Sequence, residues 1–188
     1  DSIHAVTNIS LGPDTPDVLG LNQNVSFTFD YITRQPGGVR IWGRPVTNGS
    51  LTPNYAAHGS PLHPTGGGSG SGSFTITSGQ VVVDQLRIQM WDDGQTTLLF
   101  EAFLPVYYRF RASSNLVTHV ELAPDTPNIF KYSDNVNLTF NYTTDNKAGV
   151  RIWARPFSGA SLSPNYAAHG SGVYPVGSGV GSGSFRLT

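Results

Sequence analysis

The chain has 188 residues, with 11 basic and 12 acidic side chains for a net charge of −1, and no cysteine. Near-neutrality argues against a nucleic-acid or anionic-membrane surface, and the lack of thiols excludes disulfides and thiolate metal sites. With 22 glycines, 13 prolines and one methionine, the composition suits short strands and many turns, and no apolar run approaches the ~18–20 residues of a membrane-spanning helix. The sequence opens at Asp1 with neither an initiating methionine nor a signal peptide, so a processed or cut start is expected there. Few charges, no cysteine and abundant Ser, Thr and Gly point to an extracellular or cell-surface setting.

Residues Ile3–Leu11 read as a first strand, ended by Gly12-Pro13-Asp14-Thr15-Pro16, whose Pro and Asp set turn geometry. Asn24–Thr33 alternates cleanly. Val25, Phe27, Phe29 and Tyr31 share one face, with Ser26, Thr28 and Asp30 opposite, the period of a half-buried strand. Gly37-Gly38 turns into a strand over Val39–Pro45, with Val39 and Ile41 inward and Arg40, Trp42 and Arg44 outward. A long connection then runs through Asn54-Tyr55-Ala56-Ala57-His58-Gly59 and the Gly/Ser tract Gly66–Ser73 into Phe74–Thr77. Glycine at every second tract position leaves one face without side chains, which invites close approach of another backbone. Val81–Asp92 is a strand with Leu86, Ile88 and Met90 inward and Gln85, Arg87, Gln89 and Trp91 outward. Asp92-Asp93-Gly94-Gln95 signals a hairpin into a strand over Thr97–Arg111, where Pro105 marks a bulge or an edge.

The chain repeats itself. Gly38-Val39-Arg40-Ile41-Trp42-Gly43-Arg44-Pro45 returns as Gly149-Val150-Arg151-Ile152-Trp153-Ala154-Arg155-Pro156, and Pro53–Ser60 returns unchanged as Pro164–Ser171. The same offset of 111 relates residues 1–77 to 112–188 without a gap, and about 40 of those 77 pairs are identical. Self-similarity at a fixed period outranks local pattern as a fold signal. The expected organisation is therefore a full unit over 1–111 and a second copy over 112–188 that lacks the equivalent of 78–111. In the second copy Val136, Leu138, Phe140 and Tyr142 keep the apolar face of their strand.

About seven short strands in ~110 residues, with no helical periodicity, fit a two-sheet antiparallel sandwich. The strand pattern resembles the tandem immunoglobulin-like or fibronectin-III-like β-sandwich repeats of bacterial or archaeal secreted surface adhesins and filaments. The resemblance spans the whole unit, although the Cys…Trp…Cys hallmark of antibody domains is absent. It implies an all-β fold of tandem sandwiches, and says little about function. Because the second copy stops at the equivalent of Thr77, its last hairpin is expected either in a longer array or from other polypeptide material by strand addition. Otherwise an apolar face and open edges would be exposed.

The candidate contact residues are Arg40, Trp42, Arg44 and Trp91, with Arg151, Trp153 and Arg155 in the second copy. Alternating cations and indoles form a cation–π ladder worth ~0.5–1 kcal/mol per exposed contact. Such a face can stack a sugar ring, meet a neighbouring subunit, or simply cover the sheet. Tyr55 and Tyr166 are further contact candidates, although the unchanged loop that they share with His58 and His169 is read chiefly as structural. His63 follows His58 at a spacing that suggests a metal pair, but Tyr174 replaces it in the second copy, so no metal site is expected. Asp14, Asp125 and the Asp92-Asp93-Gly94 turn are oxygen-rich without a calcium-loop spacing, and ordinary turn chemistry is favoured. Asn8, Asn24, Asn48, Asn137 and Asn141 each begin an Asn-x-Ser/Thr sequon, relevant only where a source glycosylates them.

No nucleophile elbow, metalloprotease helix or phosphate-binding loop is present. Asp30 becomes Asn141, whereas a repeated hydrolase would keep its carboxylate pair. The expectation is a non-enzymatic structural or adhesive protein without cofactor. Its partners would be copies of itself in a polymer or array, with surface polysaccharide as the alternative ligand, and neither nucleic acid nor membrane.

Overall fold

The computed structural model describes residues 4–188 and is all-β. Its contacts divide the chain into one compact unit ending at Ala112 and a second over Ser113–Thr188. The expected start of the first strand at Ile3 lies outside the described residues.

In the first unit, β1 (His4–Gly12), β3 (Val25–Thr33), β8 (Gly66–Ile76) and β6 (Tyr55–Ala57) form one antiparallel sheet in the order β1-β3-β8-β6. The other sheet runs β2-β10-β9-β4-β5, built from β2 (Asp17–Gly20), β10 (Leu98–Arg111), β9 (Val81–Asp92), β4 (Val39–Thr47) and β5 (Ser50–Leu51), with β7 (Leu62–His63) added to β4. All these pairs are antiparallel except β2 with β10. The first strand read from the sequence corresponds to β1, and β2, which the sequence did not signal, follows the turn whose peptide bonds before Pro13 and Pro16 are cis. Between β1 and β2 the chain passes from one sheet to the other.

The alternation in β3 is realised residue by residue. Val25, Phe27, Phe29, Tyr31 and Thr33 are buried and the residues between them exposed. They meet Val39 and Ile41 of β4, Leu86, Ile88 and Met90 of β9, and Tyr108 and Phe110 of β10 in one core. Pro105 sits where the β9–β10 register shifts, between Pro105 and Tyr108. The hairpin between these strands takes its left-handed residue at Gln95 (φ 56°), not at Gly94. Asp92 fixes it: its carboxylate accepts the amides of Thr96 and Thr97 at 2.7 and 2.9 Å and the Thr96 hydroxyl at 2.7 Å.

The Gly/Ser tract departs from the expected connection. It is part of strand β8, paired with β3 along its whole length while β6 flanks only the following Phe74–Ile76, despite the low strand preference of glycine. What approaches its bare face is a row of rings from the neighbouring strand. Phe27, Phe29 and Tyr31 lie in register with Gly72, Gly70 and Gly68. A Cβ on Gly72 would stand 2.4 Å from Phe27 Cζ, and one on Gly70 2.6 Å from Phe29 Cζ. Each ring therefore fills the place a side chain would take, the pairing that rescues glycine in strands.

The second unit contains one four-stranded sheet, β11-β12-β16-β15, from β11 (Leu116–Ala123), β12 (Val136–Thr144), β16 (Gly177–Leu187) and β15 (Tyr166–Ala168). Its elements lie 111 residues beyond those of β1-β3-β8-β6. Even the β1 bulge recurs, with Asn8 and His119 both at φ 51° where the register slips. Among the described residues the second unit's other regular pairing is a two-stranded ribbon, β13 (Phe157–Ser158) with β14 (Ser161–Leu162). The segment Arg151–Pro156, identical to β4 at all but one position, is not a strand.

Candidate functional site

The Arg-Trp-Arg face is built on β4, whose register with β9 pairs Arg40 with Trp91, Trp42 with Gln89 and Arg44 with Arg87. Alternation puts these six side chains on the outer side of the sheet. Arg40 bonds to Asp93, its NH2 2.9 Å and its Nε 3.0 Å from Oδ1. The guanidinium of Arg44 stands 5.5 Å over the Trp42 ring, within cation–π range. Gln89 donates to Glu101 at 2.6 Å and accepts the Trp91 indole N–H at 3.4 Å. Although it points outward, Gln89 is buried, hydrogen-bonded on both ends of its amide. Arg44 and Arg87, directly opposite, are like charges. Burial lowers the Arg44 pKa from its ordinary value, an effect that Tyr55 opposes and Arg87 reinforces.

The unchanged loop belongs to the same construction. In the first unit Arg40 Nη1 donates to the Ser60 carbonyl at 2.9 Å, and Arg44 Nη1 to the His58 carbonyl at 3.3 Å. The Ser60 hydroxyl accepts the Ile41 amide at 2.8 Å, and His58 Nδ1 lies 2.6 Å from the Ser73 hydroxyl. In the second unit Arg151 bonds to the Ser171 carbonyl, Arg155 to that of His169, the Ser171 hydroxyl to the Ile152 amide, and His169 to Ser184. Two motifs that look independent along the chain are one hydrogen-bonded cluster. The reason is geometric: one side of β4 is an edge, and the loop covers it with the Ser60 hydroxyl where β7 does not reach. Tyr55 and Tyr166 sit half-buried at the start of this loop, on β6 and β15.

The remaining candidates separate. His63 does not join His58. It is buried between Phe29 and Tyr31, with ring centroids 5.8 and 5.1 Å away, and its Nε2 has no hydrogen-bond partner among the described residues. Tyr174 takes the same place against Phe140 and Tyr142, at 5.8 and 5.1 Å. Burial lowers the His63 pKa from its ordinary 6.5. Asp92 is occupied as a turn cap, and the N–H and O–H donors of Thr97 and Thr96 hold its carboxyl below the usual range. Among the described residues no group of three or more His, Cys, Asp or Glu is placed to hold a metal ion. Nor, among the described residues, is any helix long and apolar enough to cross a membrane.

Sequence reasoning passed over Trp153 as distinct from Trp42. Trp42 is half-buried under Arg44, whereas Trp153 is 55 % exposed. Sequence neighbours that differ only at Gly43 and Ala154 gave no signal of that difference. It arises from a strand that flanks one and not the other.

No protein-family model and no curated protein matches the chain. Among solved structures it is similar to the secreted serine protease VesC from Vibrio cholerae, at 9 % identity and a TM-score of 0.26. The match covers 95 % of this chain and 45 % of that one. A likeness of this degree carries no argument about fold or activity.

Proposed function

We propose that this chain is a non-enzymatic structural or adhesive protein of the cell surface or extracellular space, made of tandem immunoglobulin-like β-sandwich units that work by mechanics and contact. The observation that carries this reading is the duplicated cluster: the residues repeated without change bond to one another and to the sheet, in both units. Groups spent in that way serve a framework. The sandwich part of the reading draws on strand order. The grouping of β1, β3, β8 and β6 in one sheet and β10, β9 and β4 in the other supports that part, since an immunoglobulin fold divides its strands between two sheets. Self-association would use sheet edges and the outer Arg-Trp-Arg face, and a head-to-tail contact that does not close generates a filament.

Electron microscopy with intact mass on the same native preparation tests it. An ordered fibre with an axial repeat of a few nanometres, the span of one or two ~33 Å strands, is the expected result. Discrete monodisperse particles would remove the filament.

The exposed indole of Trp153 favours one second reading, a carbohydrate-binding surface. On it, soluble polysaccharide binds saturably, and Trp153→Ala abolishes binding while Trp42→Ala, whose ring Arg44 already covers, has the smaller effect. No glycan bound by the unmodified chain would end that alternative.

A further inference from the structure

The second unit presents a half-built core whose missing part the first unit displays. Leu19, Val46 and Ile76 are 0, 2 and 0 % exposed, and Leu19 and Ile76 are sealed in one core with β9 and β10. Their counterparts Phe130, Phe157 and Leu187 remain apolar yet are 40, 62 and 41 % exposed. Phe130, Tyr132, Val136, Phe185 and Leu187 line an open cavity of about 360 Å³.

The same unit also has an unpaired backbone edge. Val150 exchanges hydrogen bonds with Tyr174, and the Ile152 amide bonds to Ser171. Both amides thus point to the loop side, and by alternation those of Arg151, Trp153 and Arg155 point the other way. Among the described residues nothing accepts them. In the first unit the equivalent side of β4 is the one paired with β9.

We propose that this face is a docking site for a β-hairpin of β9–β10 chemistry, contributed by a polypeptide segment other than the molecule's own β9–β10. Its first strand adds edge-on to residues 150–157 by strand addition. Aliphatic side chains at every second position enter the cavity, and the second strand brings aromatics such as those at Tyr108 and Phe110. The pairing of the first unit fixes the register: the hairpin positions equivalent to Trp91, Gln89 and Arg87 lie opposite Arg151, Trp153 and Arg155. A second copy is the weaker occupant, because donating its β9–β10 would strip Leu86, Ile88, Met90, Tyr108 and Phe110 from its own core. That exchange completes one core by opening another. The inference does not depend on the adhesive reading above.

The test is amide hydrogen exchange, read by mass spectrometry over residues 149–157 of the full chain. One arm adds a peptide of residues 78–112. The other joins a second copy of 78–112 directly behind Thr188, as residue 78 follows Thr77, so that peptide solubility plays no part. Exchange at Arg151, Trp153 and Arg155 is expected to slow about 10-fold or more in both arms, as for amides entering a sheet. It should return to the unmodified rate when the added copy carries Leu86→Asp and Ile88→Asp. Unchanged exchange in the joined chain would overturn the proposal, as would equal slowing by the Asp-bearing hairpin. Slowing that rises with concentration of the unmodified chain alone, with a dimer mass, would overturn it in favour of exchange between copies.

Discussion

Residues 38–45 and 149–156 differ at one position and meet different fates. In the first unit they form β4, paired with β9 on one side and with β7 and Ser60 on the other. In the second they keep the loop-side bonds and remain outside any regular sheet. Local sequence does not decide between these outcomes, since strand preference reflects neighbours more than the residues themselves. The four-stranded sheets form in both units because β3 with β8, and β12 with β16, supply their own partners.

The single difference within the segment, Gly43 against Ala154, is coupled to another. A Cβ on Gly43 would lie 2.6 Å from Phe27 Cζ and 3.1 Å from Ile88 Cδ1. In the second unit Leu138 stands where Phe27 does, and Ala154 packs against the Leu138 cluster. The shorter side chain on one sheet makes room for the methyl group opposite.

The largest contrast should come from equivalent phenylalanines. Phe74 is buried in the first core, whereas Phe185 is half-buried at the open cavity. Phe74→Ala is expected to cost ~3–5 kcal/mol and Phe185→Ala well under half of that, measured by urea unfolding with exchange separating the units. Equal costs would break the comparison.

Glycine substitutions sharpen it. Gly72→Ala pushes a methyl group into Phe27 at 2.4 Å, whereas at Gly183 the nearest atom is Leu138 Cδ1 at 3.7 Å, ordinary contact. The first should lower stability by ~1–3 kcal/mol, with much of the loss recovered by adding Phe27→Leu. The second should change stability by less than ~0.5 kcal/mol. Thermal melts of the three variants decide it.

The buried histidine gives the first unit a pH effect that Tyr174 cannot supply at the equivalent place in the second. Burial lowers the His63 pKa below 6.5, so between the folded and unfolded values the unfolded chain binds more protons. Stability is then full above about pH 6.5 and falls as pH drops toward the folded value. His63→Tyr, the residue at 174, should flatten that part of the curve of stability against pH. An unchanged slope would show that burial of His63 is not its source.

The smallest difference is the Arg40–Asp93 pair, whose side chains are 30 and 51 % exposed. Asp93→Asn should cost ~0–1 kcal/mol and less still at high salt, as a melt in low and high salt would show. A larger loss would mean that Asp93 also positions the hairpin.

Much of the all-β organisation was legible before any coordinates. The face of β3, the extent of β9 and the bulge at Pro105 follow from alternation and from proline's missing donor. Of the candidate face, Arg40, Trp42, Arg44 and Trp91 could be placed together by assuming a neighbour for β4. Their bonds to Ser60 and His58 could not, since no spacing rule links a loop carbonyl to a guanidinium 14 or 20 residues away. The Gly/Ser tract likewise hid its strand, because its stabilising side chains are the rings of β3.

By itself the sequence determined which residues alternate, where the chain turns and that residues 1–77 align with 112–188 at a fixed offset, about 40 of the 77 pairs being identical. Only the tertiary structure decided which of those recurring segments become strands. A helix satisfies its backbone within its own residues, but a strand's amides need a partner that can lie anywhere in the chain. For β4 that partner is β9. Along the equivalent side of residues 149–156 the described chain places none, although Val150 and Ile152 are held from the loop side.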